Sequence, residues 1–390
     1  MTSLLIVAIV VLLGIAIWQL TKIFDLTQVG SGPDDYSSQV ANPKDNNIQG
    51  YVVFGFLAFI YVFTIFCLVE YGSFPLMGDS ASEHGKTVDN LMWISMGLIF
   101  FVQIVTQFLL HYFAFKARGI KGRKARYFSD NDKLEAAWTI IPTITLTGLI
   151  LYGLFAWNDI MFVDQEEEVI NIEVYAKQFA WDVRYSGEDN TLGKANVRFI
   201  KGVNVAGVDM TDPNAQDDKM AKELHLPVGK KVVLKFRSQD VLHSAYLPHF
   251  RAQMNCVPGM VTQFAFVPSV TTEEMRTRES IVSKVNNINN IRAERSQELV
   301  AGGHEPLDPY TFDYLLLCNK ICGASHYNMQ LKVVVSTEEE FKSWLKELPT
   351  LADQVAAENG AKEEEVAAPA VETEVITEEV ETEAIAQVVK

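Results

Sequence analysis

Four apolar runs near the start of the chain constrain its fold more than any other feature. They lie at approximately Ser3–Leu20, Tyr51–Leu68, Leu91–Phe115 and Ala136–Trp157. A helix needs roughly 20 apolar residues to cross the hydrocarbon core of a bilayer, and each run approaches or exceeds that length. The first run lacks a basic N-terminal region and a small-residue cleavage site, so we interpret it as a membrane helix and not as a signal peptide. The sequence therefore predicts a membrane anchor of four helices.

The charge of the loops predicts the orientation of these helices. Seven basic residues lie in Lys116–Lys133, whereas Glu70–Asn90 carries only Lys86. Short loops rich in Lys and Arg stay in the cytoplasm. We therefore expect a multi-pass protein of the cell (inner) membrane, with everything after Trp157 on the extracytoplasmic side. The N-terminus is also outside if all four runs span the membrane.

Acidic charge is concentrated at the C-terminus. Residues 351–390 hold more than half of the formal net charge of −16. A low-complexity segment of Glu, Ala, Val and Thr buries too little apolar surface to fold, so a disordered acidic tail is expected there. Nucleic acid is excluded as a partner because phosphate binding needs clustered Lys and Arg. A basic protein partner is compatible with the charge.

Beyond the anchor, the apolar pattern changes to a period of two residues, which is typical of strands. Six strands are predicted: Val169–Ala176, Gln178–Tyr185, Lys230–Ser238, Met260–Pro268, Tyr314–Cys318 and Met329–Ser336. Short strands broken by Gly and Pro indicate a β-sandwich or barrel. A helix at Glu338–Leu348 is predicted to follow Thr337 and Glu340, which are spaced as a capping box.

The fold class is thus a membrane-anchored α plus all-β protein. The predicted divisions are two N-terminal membrane helices, a helical hairpin, an extracytoplasmic β domain with a helical insertion, and the tail. Their bounds are 1–70, 71–157, 158–350 with the insertion at about 271–311, and 351–390.

The strongest chemical motif is a run of soft ligands directly after a predicted strand. Cys318, Cys322, His326 and Met329 fall within 12 residues. Thiolates combined with imidazole select copper, and a weakly bound Met is the usual axial ligand of electron-transfer copper sites. A second imidazole is needed if two metals share the two thiolates, and His243 is the candidate.

A disulfide between Cys318 and Cys322 with a structural histidine nearby is the alternative interpretation. The extracytoplasmic side permits such a bond, although His326 and Met329 at their spacings favour the metal site. Three further residues near His243 are interpreted as packing residues or neighbours of the ligands: His249, Met254 and Cys256.

Several motifs resemble subunit II of cytochrome c oxidase, of the heme–copper oxidase superfamily. They are the loop Cys318–Met329, HSAYLPHFR…VPGM in His243–Met260, LEAAWTIIP in Leu134–Pro142 and, more weakly, QFAW in Gln178–Trp181. The resemblance covers roughly Leu91–Leu348. It implies a cupredoxin domain that passes electrons from cytochrome c to the heme of subunit I, where oxygen reduction is coupled to proton pumping.

The resemblance also implies a dinuclear mixed-valence copper centre, known as CuA. Two cysteines bridge both ions, each histidine binds one, and a thioether and a carbonyl are weak axial ligands. The implied residues are Cys318, Cys322, His243, His326, Met329 and the carbonyl of Lys320. The family places a carboxylate at the position of Glu135, at the cytoplasmic mouth of a proton path. A favourable charge at a helix N-terminus is the alternative reading of Glu135.

Three features depart from the family pattern. Lys320 replaces a Glu whose side chain helps to bind magnesium at the interface with subunit I, so that magnesium ligand is in doubt. Phe179 occupies the position where the family has a Trp for electron uptake, and Trp181 follows two positions later. Both residues are therefore candidates for electron uptake, and a dedicated cytochrome held in a supercomplex is an alternative electron donor. The family normally has two membrane helices, which leaves the two in residues 1–70 as additions.

Three rival functions remain at this stage. A quinol oxidase subunit keeps the fold without copper, but it lacks ligands that are all present here. An electron-accepting domain of the nitrous oxide reductase type leaves LEAAWTIIP and the anchor without a purpose. A copper chaperone or assembly scaffold predicts exchangeable copper without intense colour.

Overall fold

A computed structural model describes residues 2–29, 43–72, 78–120, 122–124, 126–162 and 168–367. These described residues form two compact units, one within 1–76 and 90–153 and the other within 77–89 and 154–390. Four long helices come first: α1 (Thr2–Val29), α2 (Pro43–Tyr71), α3 (Glu83–Lys116) and α4 (Asp132–Met161). The helices of the second part are α5 (Thr272–Thr277), α6 (Glu279–Ala301), α7 (Glu338–Glu347) and α8 (Leu351–Ala367).

The first unit is a bundle of apolar helices. Among the described residues, α2, α3 and α4 are each long and apolar enough to cross a membrane, and their apolar windows are almost entirely exposed. Such exposure is expected where lipid is the solvent. The described apolar part of α1, Val10–Ile23, is shorter than a full span. A fourth membrane-spanning helix therefore stays a prediction.

Side-chain contacts tie α2 to α3 in an antiparallel pair. Tyr61 donates a hydrogen bond to the carbonyl of Ile104 at 2.6 Å. Towards the other end of the pair, Arg118 donates to Asn47 Oδ1 at 2.7 Å, and its guanidinium lies 4.1 Å from the ring centroid of Phe115. These contacts fix the α2 N-terminus beside the α3 C-terminus.

The second unit is built on two five-stranded sheets. Its strands are β1 (Val169–Lys177), β2 (Ala180–Tyr185), β3 (Lys219–Ala221), β4 (Leu224–Pro227), β5 (Lys231–Ser238), β6 (His243–Leu247), β7 (Ala252–Cys256), β8 (Thr262–Phe266), β9 (Tyr314–Cys318) and β10 (Gln330–Ser336). One sheet has the order β3-β2-β1-β5-β8 and the other β4-β10-β9-β6-β7. Alternate residues of both sheets form one apolar core. The prediction of a β-sandwich that follows a helical anchor along the chain is confirmed.

Four strands were not predicted: β3, β4, β6 and β7. The first two have only three and four residues, too few to show a period. The other two contain few β-branched residues, so their intrinsic preference for a strand is weak. Tertiary pairing compensates, because β6 is hydrogen-bonded to β7 on one side and β9 on the other.

The helical predictions for this unit agree with the structure. The insertion folds as α5 and the 23-residue α6. The capping box of α7 is present: Glu340 N–H donates to Thr337 Oγ1 at 3.3 Å, and Thr337 N–H donates to the Glu340 carboxylate at 3.0 Å. Two orphan amides at this helix N-terminus are thereby satisfied.

The predicted disordered tail, 351–390, does not begin where expected. The structure has helix α8 at its start, because Leu351 is fully buried in a small apolar cluster. A hydrogen bond from Val203 N–H to the Glu358 carboxylate, at 3.0 Å, holds the helix further along. The low-complexity composition of the segment gave no sign that Leu351 would be buried. Residues 368–390 lie outside the described part of the chain.

The segment before α3 is bound into the β domain. Ala81 and Ser82 are fully buried, and Ser82 Oγ donates to the carbonyl of Phe250 at 2.7 Å. Arg251 donates two hydrogen bonds to the Asp89 carboxylate, at 2.7 and 2.9 Å. Such bidentate pairs are geometrically specific. The first turns of α3 therefore belong to the same compact unit as the sandwich.

His249 is a packing residue, as predicted from the sequence. Its ring makes edge contacts with Phe312 and Tyr314, at centroid distances of 5.2 and 5.5 Å. Burial, with smaller effects of Lys284 and Arg251, lowers the pKa of His249 to about 4, whereas Asp79 acts in the opposite direction.

We expect this histidine to make the fold acid-sensitive. Its pKa is lower in the folded chain than in the unfolded chain, so the unfolded state takes up the proton first as the pH falls from about 6.5 to 4. The resulting loss of unfolding free energy is roughly 3 kcal/mol. Chemical denaturation of the detergent-solubilised chain across that range measures it. His249→Phe keeps the ring packing and should remove this part of the pH dependence; an unchanged profile would contradict the assignment.

Candidate metal centre

Two loops at one end of the sandwich bring the predicted ligands together. His243 is the first residue of β6 and is fully buried. Cys318 ends β9, and Cys322 follows in the loop that returns to β10. Met329 immediately precedes β10 and is also buried. Pairing of β6 with β9 therefore places the separate histidine beside the cysteine loop.

The six predicted ligand atoms form one connected cluster. The distances from Cys318 Sγ are 3.8 Å to His243 Nδ1, 3.2 Å to the Lys320 carbonyl oxygen and 3.9 Å to Cys322 Sγ. The distances from Cys322 Sγ are 3.7 Å to His326 Nδ1 and 3.8 Å to Met329 Sδ. Ligand atoms of His243, Cys318 and Cys322 all lie within 4.8 Å of one another.

The two cysteines are not joined in a disulfide. Their sulfur atoms are 3.9 Å apart, whereas a disulfide bond is about 2.05 Å long. All four cysteines, each within the described residues, are free. The structure therefore does not support the alternative reading of a disulfide with a structural histidine.

Asp240 orients His243, and sequence reasoning missed it. Asp240 Oδ1 lies 2.8 Å from His243 Nε2. A carboxylate is only an acceptor when ionised, so Nε2 carries the proton and the unprotonated Nδ1 faces Cys318. Partial burial acts to raise the pKa of Asp240, but hydrogen bonds from Gln178 N–H, His243 and Val241 N–H lower it overall. The only sequence signal is its position three residues before a candidate ligand.

Burial keeps two of the thiols protonated in the absence of a metal. Burial and then the neighbouring Cys318 raise the pKa of Cys322 to about 11. Burial raises the pKa of Cys256 to about 12, and this residue pairs with His243 across the sheet without joining the donor cluster. A metal must displace the Cys322 proton, because the thiolate is the ligand.

The cysteine loop has a fixed conformation at Gly323. Its φ is +144°, a value that side chains strongly disfavour, and an added Cβ would lie 2.8 Å from the Phe179 ring. Gln178 Nε2 also donates to the Cys322 carbonyl oxygen at 2.5 Å. The β1–β2 turn therefore packs directly against the loop that carries the candidate metal ligands.

We expect Gly323→Ala to destabilise this loop by about 1–3 kcal/mol, since it adds backbone strain and a clash with Phe179. Thermal unfolding of the full chain measures the loss. Gly229→Ala provides a matched control, because Gly229 has a positive φ of +74° but no atom within 4 Å of the added Cβ. An equal effect of the two changes would show that loop packing at Gly323 is unimportant.

The two electron-uptake candidates lie in different environments. Phe179 is half-buried, against the loop. Trp181 is only 3% exposed and its ring packs 6.2 Å from that of His243. Trp181 faces inward on β2 and so presents little surface to an electron donor, and the role of either residue in electron uptake stays a prediction. The exposed apolar residues beside the cluster are Ile321 and Tyr327.

Glu135 lies in the first turn of α4 and is exposed. Asn131 caps this helix by accepting from Leu134 N–H at 3.1 Å. The position suits an acidic residue near a helix N-terminus. A role in proton uptake stays a prediction.

These features together define a class of protein. A partly buried cluster of thiol, imidazole and thioether groups on a β-sandwich has the composition of an electron-transfer copper site. The helices that precede it are long enough to anchor the domain in a membrane. The class is a membrane-anchored, cupredoxin-like electron-transfer domain.

Comparison with known proteins identifies the family. Residues 71–155 match the family model "Cytochrome C oxidase subunit II, transmembrane domain", and residues 170–274 match "Cytochrome C oxidase subunit II, periplasmic domain". The alternative cytochrome c oxidase subunit 2 of Bradyrhizobium diazoefficiens is 32% identical over 268 residues, covering 68% of this chain and 80% of its own length. Cytochrome c oxidase subunit 2 of Thermostichus vulcanus is 22% identical, covering 75% and 87%.

Among solved structures, the periplasmic domain of subunit II of cytochrome oxidase from Bradyrhizobium japonicum is 18% identical, with a TM-score of 0.26. The match covers 45% of this chain and 91% of that domain. On the family models and the Bradyrhizobium diazoefficiens relative, the chain belongs to the cytochrome c oxidase subunit II family. It is a subunit II component of a cytochrome c oxidase, an oxidoreductase, and a membrane protein with an extracytoplasmic β domain.

Proposed function

We propose that this chain holds a dinuclear CuA centre and relays single electrons from a cytochrome c to the heme of subunit I. The observation that carries the proposal is the connected donor cluster of Cys318, Cys322, His243, His326 and Met329 with the Lys320 carbonyl. The loop lies outside the residues matched by the two family models. The ligand assignment therefore rests on the geometry and on donor chemistry.

The residues fit copper well. Two soft thiolates with imidazole are the preferred ligands of this metal, and the Met329 thioether and the Lys320 carbonyl would add weaker ligands. The hydrogen bond to Asp240 favours the tautomer of His243 that carries its proton on Nε2, which leaves Nδ1 available to a metal. When bound, copper held by Cys318 and Cys322 with the two histidines would carry one electron at a time.

The protein holds these donors in a rigid, partly water-free frame. Asp240 fixes the His243 ring, and Gln178 with Phe179 braces the cysteine loop. Cys322 and Met329 are buried at 6% and 2% exposure, so water has little access to them. A frame that moves little between oxidation states favours fast electron transfer.

The exposed surface beside the cluster of metal ligands supports docking of an electron donor. Ile321 and Tyr327 are 87% and 88% exposed, and Phe179 lies half-buried behind the loop. We propose cytochrome c, or a dedicated cytochrome in a supercomplex, as the partner on this side. Subunit I and other oxidase subunits are proposed partners of the membrane helices, in the cell (inner) membrane.

Magnesium does not fit the side chain at position 320. A lysine ammonium donates hydrogen bonds and carries positive charge, whereas magnesium requires oxygen ligands. The Lys320 carbonyl is instead turned towards Cys318. We therefore assign no magnesium ligand to this side chain.

Copper content and reduction kinetics test the proposal. The full chain, purified in detergent and loaded with copper, should retain two coppers that a chelator does not remove, and reduced cytochrome c should reduce them in stopped-flow mixing. Exchangeable copper without intense colour would favour the scaffold function. Retained copper that accepts electrons only from quinol would contradict the cytochrome c donor.

A further inference from the structure

The membrane unit contains an apolar groove with a single histidine in its wall. Its volume is about 460 Å³, within the usual range for small-molecule sites. Val11, Leu12 and Ile15 of α1 line one side and Phe56 and Phe59 of α2 another, with His111 of α3 between them. No described lining residue is charged.

A hydrogen bond orients the His111 ring and leaves its second ring nitrogen without a hydrogen-bond partner among the described residues. The residue is only 7% exposed, and its Nδ1 lies 2.8 Å from the Gln107 carbonyl oxygen. A carbonyl is only an acceptor, so Nδ1 must carry a proton and donate. In the neutral imidazole Nε2 is then an acceptor, and none of the described residues donates a hydrogen bond to it. Hydrocarbon offers no hydrogen-bond donor, so a ligand that donates to Nε2 would satisfy this nitrogen.

The depth of His111 suits a polar headgroup. It precedes Lys116, the last residue of α3, by five positions, or about 7.5 Å of helix. Aromatic rings extend away from it along α2, with Phe56 and Phe59 stacked at 6.2 Å and Phe59 and Phe63 at 5.6 Å. The groove therefore offers a polar contact near the membrane surface and an apolar path towards the bilayer interior.

The donor–acceptor chemistry selects the ligand. Phosphate oxygens are acceptors and would meet the acceptor Nε2, with no cationic side chain among the described lining residues. An ester or a quinone presents only carbonyl oxygens, which cannot donate. A ring hydroxyl can donate to Nε2, and its aromatic ring can stack beside Phe56, whose centroid lies 6.2 Å from the His111 ring.

We propose that this groove binds the hydroquinone form of a lipid quinone, with a ring hydroxyl donating to His111 Nε2 and the tail lying along α2. The proposal concerns binding and involves no oxidation step. Intramembrane histidines are costly and usually functional, and copper chemistry in the β domain makes no use of this one. The inference does not depend on the function proposed for the metal centre.

Binding of a short-chain probe tests the proposal. The full chain is reduced with ascorbate, freed of the excess ascorbate and kept in anaerobic phosphatidylcholine nanodiscs, where it is titrated with decyl-hydroquinone and the bound probe is counted after extraction. We expect saturation near one probe per chain. The oxidised decyl-quinone should bind about tenfold more weakly, the factor for one net hydrogen bond. This comparison needs no variant.

Variants locate the site. His111→Phe should lower hydroquinone affinity about tenfold and leave quinone affinity unchanged, since only the acceptor is removed. His111→Gln retains an acceptor oxygen and should bind better than His111→Phe, whereas the exposed His304→Gln should match the unaltered chain.

Four outcomes would overturn the proposal. They are equal affinity for hydroquinone and quinone, unchanged binding by His111→Phe, displacement by added phosphatidylglycerol, and absence of binding to the complete purified oxidase. Displacement would indicate a phospholipid site. Absence in the complete enzyme would indicate that another subunit covers the groove.

Discussion

Cys322→Ser is expected to abolish the copper centre and to lower electron transfer from cytochrome c by more than about 100-fold. Cys322 Sγ lies 3.7–3.9 Å from donor atoms of Cys318, His326 and Met329, so its loss removes the link among them. A serine hydroxyl is a hard ligand that copper binds poorly. Even losing an outer hydrogen-bond partner of a metal ligand costs about 10–100-fold. Copper content and turnover of the assembled oxidase measure the effect.

Cys256→Ala is the matched control for this change. Cys256 is also buried and lies across the sheet from His243, but its sulfur is outside the donor cluster within the described residues. The variant should keep its copper and most of its activity. Equal loss in both variants would mean that the cluster does not define the metal site.

Asp240→Ala is expected to weaken copper binding by about 10–100-fold while leaving all six donors in place. Without the carboxylate, the proton of His243 is no longer held on Nε2, so Nδ1 is unprotonated in only part of the population. Competition with a copper chelator measures the affinity, and the copper hyperfine splitting reports the changed histidine bond.

Asp240→Asn separates orientation from charge. Its amide oxygen can still accept from His243 Nε2, so copper binding should stay closer to that of the unaltered chain than in Asp240→Ala. The neighbouring Gln239→Ala, at an exposed position, should have no effect. Equal weakening in the Asn and Ala variants would assign the contribution to charge alone.

The sequence predicts local parts of this site well and long-range parts poorly. Four donors lie in one short loop, so their residue types and spacing already indicate copper chemistry. His243 could be added only through an apolar context and a family resemblance, because its proximity depends on the β6–β9 pairing. Asp240 was missed for the same reason: hydrogen bonding to a ring nitrogen has no sequence pattern.

The burial of individual side chains likewise could not be predicted from the sequence. Trp181 and Phe179 are two residues apart, yet only Trp181 lies on β2, where it faces the core, whereas Phe179 lies in the turn before β2 and packs against the loop. The start of the tail also folds, because one side chain, Leu351, enters an apolar cluster. Composition averaged over 40 residues could not show the effect of one side chain.

An EPR spectrum of the copper-loaded full chain in detergent tests the central claim most directly. The proposed centre predicts a purple protein whose hyperfine pattern shows one unpaired electron shared by two copper nuclei. The pattern should be lost in Cys322→Ser and kept in Cys256→Ala. A spectrum of a single copper, or a silent one with Cys318 and Cys322 joined in a disulfide, would contradict the relay function.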